Sequence, residues 1–300
     1  MNAVEISGVS KSFGSHTAVS DLDLSVPEGS VYGFIGPNGS GKTTTIRMIL
    51  HIIHPDKGTI EVMGKAGTRA ANDRIGYLPE ERGLYKKMTV NRLLLYYATI
   101  KCMERKDAKE QAEAWLERMG LIEWKTRKIE ALSKGMAQKV QFIATVISRP
   151  KLVILDEPFS GLDPVNLDVI RQAVVALKEQ GTTVIFSTHD MEMAERMCDS
   201  IFMIYRGKKV LDGTLSQIQQ QYGEDTIRMS IEGDRGTLNR LPGVMGVRDF
   251  GQYQELRFSG DPQVIMKQLM ESVSVQSFAI TKPSLHDIFV RIASPKEINE

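Results

Sequence analysis

Apolar and polar positions alternate near the start of the chain, in Val4-Glu5-Ile6-Ser7-Gly8-Val9 and again in Leu22-Asp23-Leu24-Ser25-Val26. A period of two predicts half-buried strands. The apolar run VYGFIG from Val31 reads as a further strand. A glycine-rich turn follows, and then Ile46, Ile49, Leu50 and Ile53 recur at helical spacing. TIEVMG at 59–64 and RIGYLPE at 74–80 read as strands, and residues from about Thr89 to Ile129 read as mainly helical. A second helix begins near Ser133, with Met136, Val140, Ile143 and Ile147 on one side. Two buried-type strands, LVILDEP at 152–158 and TTVIFSTHD at 182–190, flank a helix over Asn166 to Gln180. Asp163 suits its N-cap and Pro164 its first helical position. IFMIYRGKKVLDG at 201–213 closes this region as a hairpin.

After Gly213 the pattern changes. A short polar helix (SQIQQQY, 216–222) precedes short strands at 226–233, 246–250 and 255–260. A helix at 261–272, a strand at 275–281 and a last helix at 284–293 complete the order. Two domains are expected, residues 1–215 and 216–300. The first is α/β with a helical subdomain over about 80–147, and the second is a small α+β accessory domain. A chain of 300 residues is twice the usual domain size of about 150.

Composition narrows the classes. Hydrophobic residues at 42% and charged residues at 25% are the proportions of a folded globular chain. Lys+Arg 38 against Asp+Glu 37 leaves +1, so no bulk basic field would draw nucleic acid or anionic lipid, and no nucleic-acid partner is expected. The longest apolar run, Leu93 to Ala98, falls far short of the ~20 residues of a membrane span. The N-terminus lacks the pattern of a secretory signal. Cys102 and Cys198 have no zinc-type spacing and read as half-buried thiols in a reducing, cytosolic compartment.

The turn after the third strand carries the chemistry. Gly36-Pro37-Asn38-Gly39-Ser40-Gly41-Lys42-Thr43 fits G-x-x-x-x-G-K-[ST] between a strand and a helix. Glycines let backbone N–H groups face a phosphate chain, and the helix start adds its positive dipole end. Lys42 would reach the β- and γ-phosphates, and the Thr43 hydroxyl would ligate Mg²⁺. Thr44 either touches the α-phosphate or simply continues the helix. Asp156 leaves the LVILDEP strand at its carboxyl end, where α/β folds bind ligands, and can hold Mg²⁺ directly or through water. Glu157, one step on, suits a general base or water-orienting group.

Many ATPases and GTPases share that cradle. The chain has no N-K-x-D guanine-reading element. It does have Leu132-Ser133-Lys134-Gly135-Met136 between Lys42 and Asp156. With this motif the first 215 or so residues resemble the ATP-binding subunits of ABC transporters, whose signature reads L-S-G-G-Q or a close variant. Phe13, the phosphate loop, Ser133 to Met136, the LVILDEP strand with Ser160-Gly161-Leu162-Asp163, and His189 come in the family's order.

The resemblance implies an ATPase that binds ATP and Mg²⁺. Phe13 stacks on adenine, and His189 contacts the γ-phosphate as the switch histidine. Ser133, Lys134, Gly135 and Met136 close over ATP held by a second ATP-binding subunit, an identical copy or a close paralogue. It also implies a separate transmembrane permease, docked on the helical region from Glu80 to Ile129, and a place on the inner face of the cell membrane. Taken singly, Phe13 fits a core position, Ser133 an ordinary helix cap and His189 a surface residue.

Two positions depart from the usual pattern. Glu80 stands where the family has Gln, as a carboxylate that can bind Mg²⁺. Lys134 replaces Gly, and its ammonium either reaches a phosphate or projects outward. Both resemble the bacterial sodium-extrusion-type exporter subunits, as does the ending Lys282 to Phe289. A soluble ABC ATPase acting on ribosomes or DNA, or a regulatory module, is the alternative.

Overall fold

Among the described residues, three sheets organise the chain. The computed structural model describes residues 1–66, 74–81, 83–222, 226–233 and 235–293. Of the ranges read from the sequence, residue 82 in the helical region and 223–225, 234 and 294–300 in the C-terminal region lie outside the described residues. The chain divides into two compact units, residues 1–214 and 215–300.

In the first unit, β1 (Asn2–Phe13), β2 (His16–Pro27), β4 (Lys57–Val62) and β5 (Lys65–Ala66) form an antiparallel sheet in the order β2-β1-β4-β5. The strands β1 and β2 run well past the alternating segments seen in the sequence. Gly8, at φ 57, lies within a register shift and lets the hairpin bend and continue. The second sheet has the order β10-β9-β3-β8-β7-β6. It contains β3 (Val31–Ile35), β6 (Ile75–Leu78), β7 (Leu152–Asp156), β8 (Thr183–Thr188), β9 (Ser200–Tyr205) and β10 (Lys208–Gly213). Its first five strands in chain order are mutually parallel, and β10 closes the edge antiparallel to β9.

Parallel strands are buried on both faces, and period two sorts their side chains. Leu152 and Ile154 of β7 join the core beneath the antiparallel sheet, with Phe34, Phe202 and Ile46. Val153 and Leu155 face the other core, built from α2 (Val90–Ile100), α3 (Arg105–Arg118), α4 (Lys134–Val146) and α5 (Pro164–Glu179). The helix after the glycine turn, α1 (Lys42–Ile49), stops before Ile53. The chain turns at His51, whose φ of 54 is left-handed and ends the helical hydrogen bonding. The short α6 (Met191–Met197) follows β8. Cys198 is partly buried, but Cys102 is exposed beyond the end of α2, a correction to the half-buried expectation. Among the described residues no helix is long and apolar enough to cross a membrane.

The second unit has α7 (Leu215–Tyr222), β11 (Thr226–Glu232), β12 (Val244–Asp249), β13 (Gln254–Phe258), α8 (Pro262–Ser272), β14 (Ser274–Thr281) and α9 (Leu285–Ala293). Its antiparallel sheet runs β12-β13-β11-β14, with Ile227, Met229, Leu256, Phe258, Ile265 and Leu269 in its core.

Candidate functional site

The phosphate loop spans the gap between β3 and α1. Gly36 and Gly41 have φ of 148 and 116, and a Cβ on Gly41 would lie 2.6 Å from the Ala18 carbonyl oxygen. Only glycine fits there, because both the torsion and the space exclude a side chain. Lys42 is 5% exposed, and its Nζ donates to the carbonyls of Gly36 at 2.8 Å and Pro37 at 3.2 Å. Burial lowers the pKa of its ammonium, while Glu157, Asp156 and Glu80 pull it back up. A cation is thus held at the cradle by carbonyls and nearby carboxylates, without a close ion pair: Glu157 Oε1 is 4.0 Å away. Ser40 Oγ is buried and has no hydrogen-bond partner among the described residues.

Asp156 ends β7 at 1% exposure. Its Oδ1 accepts from Ser187 Oγ at 2.5 Å and lies 3.5 Å from Thr43 Oγ1. Ser187 is the register partner of Asp156 on β8, and its Oγ also accepts the Glu157 N–H at 3.0 Å. Glu157 has φ 49, a left-handed torsion unusual for a non-glycine residue, and it precedes Pro158. Holding that backbone costs about 1–2 kcal/mol, and the Ser187 bond secures it. The turn delivers a carboxylate with only 9% side-chain exposure. Both its oxygens lie 3.1 Å from Nδ1 of His189, which follows β8.

Beside these groups lies a cavity of about 340 Å³ lined by Phe13, Asn38, Gly39, Gly41, Lys42, Thr43, Thr44, Glu80 and Glu157, together with His16 and Ala18. Phe13 stands half-exposed at the end of β1, with Lys11 Nζ 5.5 Å from its ring centre. It is therefore not a core residue. The structure thus gathers Phe13, the phosphate loop, Glu80, Asp156, Glu157 and His189. Thr43, Asp156 and Glu80 offer one hydroxyl and two carboxylates. This hard-oxygen set suits Mg²⁺, which keeps water and phosphate oxygens for its remaining positions.

The motif at 132–136 does not line that cavity. Ser133 caps α4, accepting the Met136 N–H at 3.3 Å, and none of Ser133 to Met136 lines the phosphate-loop cavity. Lys134 borders a neighbouring space of about 440 Å³ with Glu80, Asp156 and Glu157. Its side chain lies over Gly161, where a Cβ would come 2.6 Å from Nζ. Glycine at 161 thus makes room for the lysine. Gly135 abuts the Asn166 side chain, 2.8 Å from an added Cβ.

Sequence reasoning missed Ser187, whose trace was a small polar residue in an apolar strand. It also missed Gln141, which reaches the Pro79 and Glu81 carbonyls at 3.5 Å and ties α4 to the loop carrying Glu80.

A parallel sheet with its phosphate loop, buried Asp156 and Glu157 at the carboxyl end defines a P-loop ATPase. A family model for the ABC transporter matches residues 19–160, and one for the C-terminal domain of DrrA1-3-like ATP-binding proteins matches residues 213–293. The ABC transporter ATP-binding protein YhaQ of Bacillus subtilis is 40% identical over 287 residues, 95% of this chain and 96% of that one. The Nod factor export ATP-binding protein I of Sinorhizobium fredii is 32% identical over 300 residues, 97% of this chain and 85% of that one. A solved ATP-binding subunit of an ABC transporter superposes with a TM-score of 0.69 at 29% identity, covering 74% of this chain and 93% of that chain. The chain belongs to the ATP-binding proteins of ABC transporters, and it is an ATPase.

Proposed function

We propose that this chain energises an export pump by binding ATP between two copies, or between itself and a close paralogue, and transmitting the closure to a separate permease. The carrying observation is the split between the phosphate-loop cavity and the signature motif of the same chain. Lys42, Thr43, Glu80 and Glu157 line one cavity, and Ser133 at the capped α4 N-terminus does not. A helix N-terminus presents free N–H groups and a positive dipole end to an anion. A second subunit would bring that end to the γ-phosphate, so neither subunit completes a site alone.

In this reading Phe13 stacks on adenine, the loop from Gly36 to Thr44 wraps the phosphates, and Lys42 neutralises the β- and γ-oxygens. Thr43, Asp156 and Glu80 would hold Mg²⁺, which supplies charge neutralisation on the phosphates. Glu157 takes a proton from the attacking water, and His189, in contact with both its oxygens, holds the carboxylate in place and meets the γ-phosphate. Export rather than import is supported by the relative named for Nod factor export. Residues 216–300 form an accessory domain.

Docking of the permease is assigned to an apolar groove of about 530 Å³ lined by Ile52, Tyr77, Leu84, Tyr97, Ile100 and Ala144. It opens beside the Glu80 loop, and only one wall, with Leu84, Tyr97 and Ile100, comes from the helical region singled out in the sequence. That would place the subunit on the inner face of the membrane. Tagged Glu157→Gln protein, loaded with ATP and Mg²⁺ and captured from detergent-solubilised native membranes, tests the reading. A multi-span protein should co-purify. Recovery of ribosomes, DNA or no partner would overturn it.

A further inference from the structure

A cavity outside the ATP site lies at the opposite end of the parallel strands. It encloses about 350 Å³ where β7 and β8 begin, roughly 16 Å of strand away from Asp156. Arg118, Arg149 and Lys151 line it, and no carboxylate does. None of these three cations has a carboxylate partner among the described residues. Arg118 instead lies over the Trp115 ring, 5.4 Å from its centre. Trp115, Val146, Pro150 and Leu177 supply an apolar wall.

Helix dipoles account for part of this charge. Arg118 occupies the last turn of α3, where a cation is favoured. They do not account for Arg149. It takes a left-handed φ of 50 just past α4, a place where glycine or asparagine is the unstrained choice. Nor do they explain Lys151, which immediately precedes β7.

Three cations without carboxylate partners, an aromatic ring and an apolar wall around one space are the makings of a ligand site. We propose that this cavity binds a small amphipathic organic anion, one acidic group on an apolar or aromatic body, independently of ATP. The acidic group would sit among Arg118, Arg149 and Lys151, and the body against Trp115 and Leu177. The ligand would bridge α3 to the α4–β7 and α5–β8 connections, and so brace the helical region against the sheet.

The probe is 8-anilinonaphthalene-1-sulfonate, with the nucleotide site saturated by ADP. Trp115 and Trp124 are the only tryptophans, so energy transfer from tryptophan reports binding in this part of the first unit, and the cavity variants assign it to the cavity. Saturable transfer is expected, at least about tenfold weaker in the Arg118→Gln/Lys151→Gln double variant and likewise in Arg149→Gly. The uncharged N-phenyl-1-naphthylamine should bind at least about tenfold less tightly to the unmodified protein. Circular dichroism and ADP binding equal to the parent protein show that the variants are folded. Equal affinity in the folded variants, equal binding of the uncharged probe, or no saturable transfer would each overturn the proposal.

Discussion

Ser187→Ala removes one hydroxyl that serves two partners. The group is fully buried, donates to the Asp156 carboxylate at 2.5 Å and accepts the Glu157 N–H at 3.0 Å. A hydrogen bond to a charged group contributes about 1.5–3 kcal/mol, and a buried N–H left unpaired costs about 1–3 kcal/mol. The two losses share one site and overlap, so a fall of about 3 kcal/mol in unfolding free energy is expected. That is a large part of the ~5–15 kcal/mol of a typical domain. Both tryptophans lie in the first unit, so their fluorescence in a urea titration reads the unit concerned.

Activity should fall too. Without Ser187 the left-handed Glu157 turn loses the bond to its N–H. It keeps the Ser160 N–H on its carbonyl and the His189 contact on its carboxylate, so the carboxylate is less firmly aimed at the attacking water. Because Ser187 does not line the nucleotide cavity, kcat should fall about tenfold or more while KM for ATP shifts less than about threefold. A stability loss below about 0.5 kcal/mol, or an unchanged kcat, would refute the role given to this hydroxyl.

Three further substitutions probe other links. Gly41→Ala puts a Cβ 2.6 Å from the Ala18 carbonyl at a φ of 116, so calorimetric ATP affinity should drop at least about a hundredfold. Asp163→Ala removes the cap of α5; Asn166 N–H and side-chain bonds hold the Asp163 carboxyl below its ordinary value of 3.8. A depressed carboxyl stabilises above its unfolded pKa and loses that contribution as pH falls through the folded one. The variant should therefore melt below the parent at pH 7, and the gap should narrow as the pH falls below 3.8, through the lowered folded value. Ile100→Asp, in the groove assigned to the permease, should leave ATP turnover of the purified subunit unchanged and abolish capture of the membrane partner; retained capture would move the docking site elsewhere.

Much of this molecule was legible because its chemistry is written in contiguous runs. The phosphate loop must lie between a strand and a helix, and Asp156 must end a buried strand, so local pattern located both. Asp163 and Ser133 behaved as caps because a cap depends on its own next three residues. Ser187 was not legible in the same way. Its importance arises from register across β7 and β8, a pairing between positions far apart in sequence. The left-handed turn at Glu157 was hidden for a related reason, since Glu is not a residue that signals positive φ. Lys134 looked like a misfit until Gly161 proved to leave it space. Helix α1 was read too long, because apolar spacing continued to Ile53 after the backbone had turned at His51.

The central claim, an ATP site completed by a second subunit's signature helix, is tested most directly by sedimentation of Glu157→Gln protein with and without ATP and Mg²⁺. The account predicts that ATP doubles the mass. It also predicts that adding Lys42→Ala or Ser133→Arg to the same chain keeps it monomeric. A monomer at every ATP concentration would contradict pairing of two copies of this chain, and a dimer that forms equally well with Ser133→Arg in both copies would contradict the role of the signature helix.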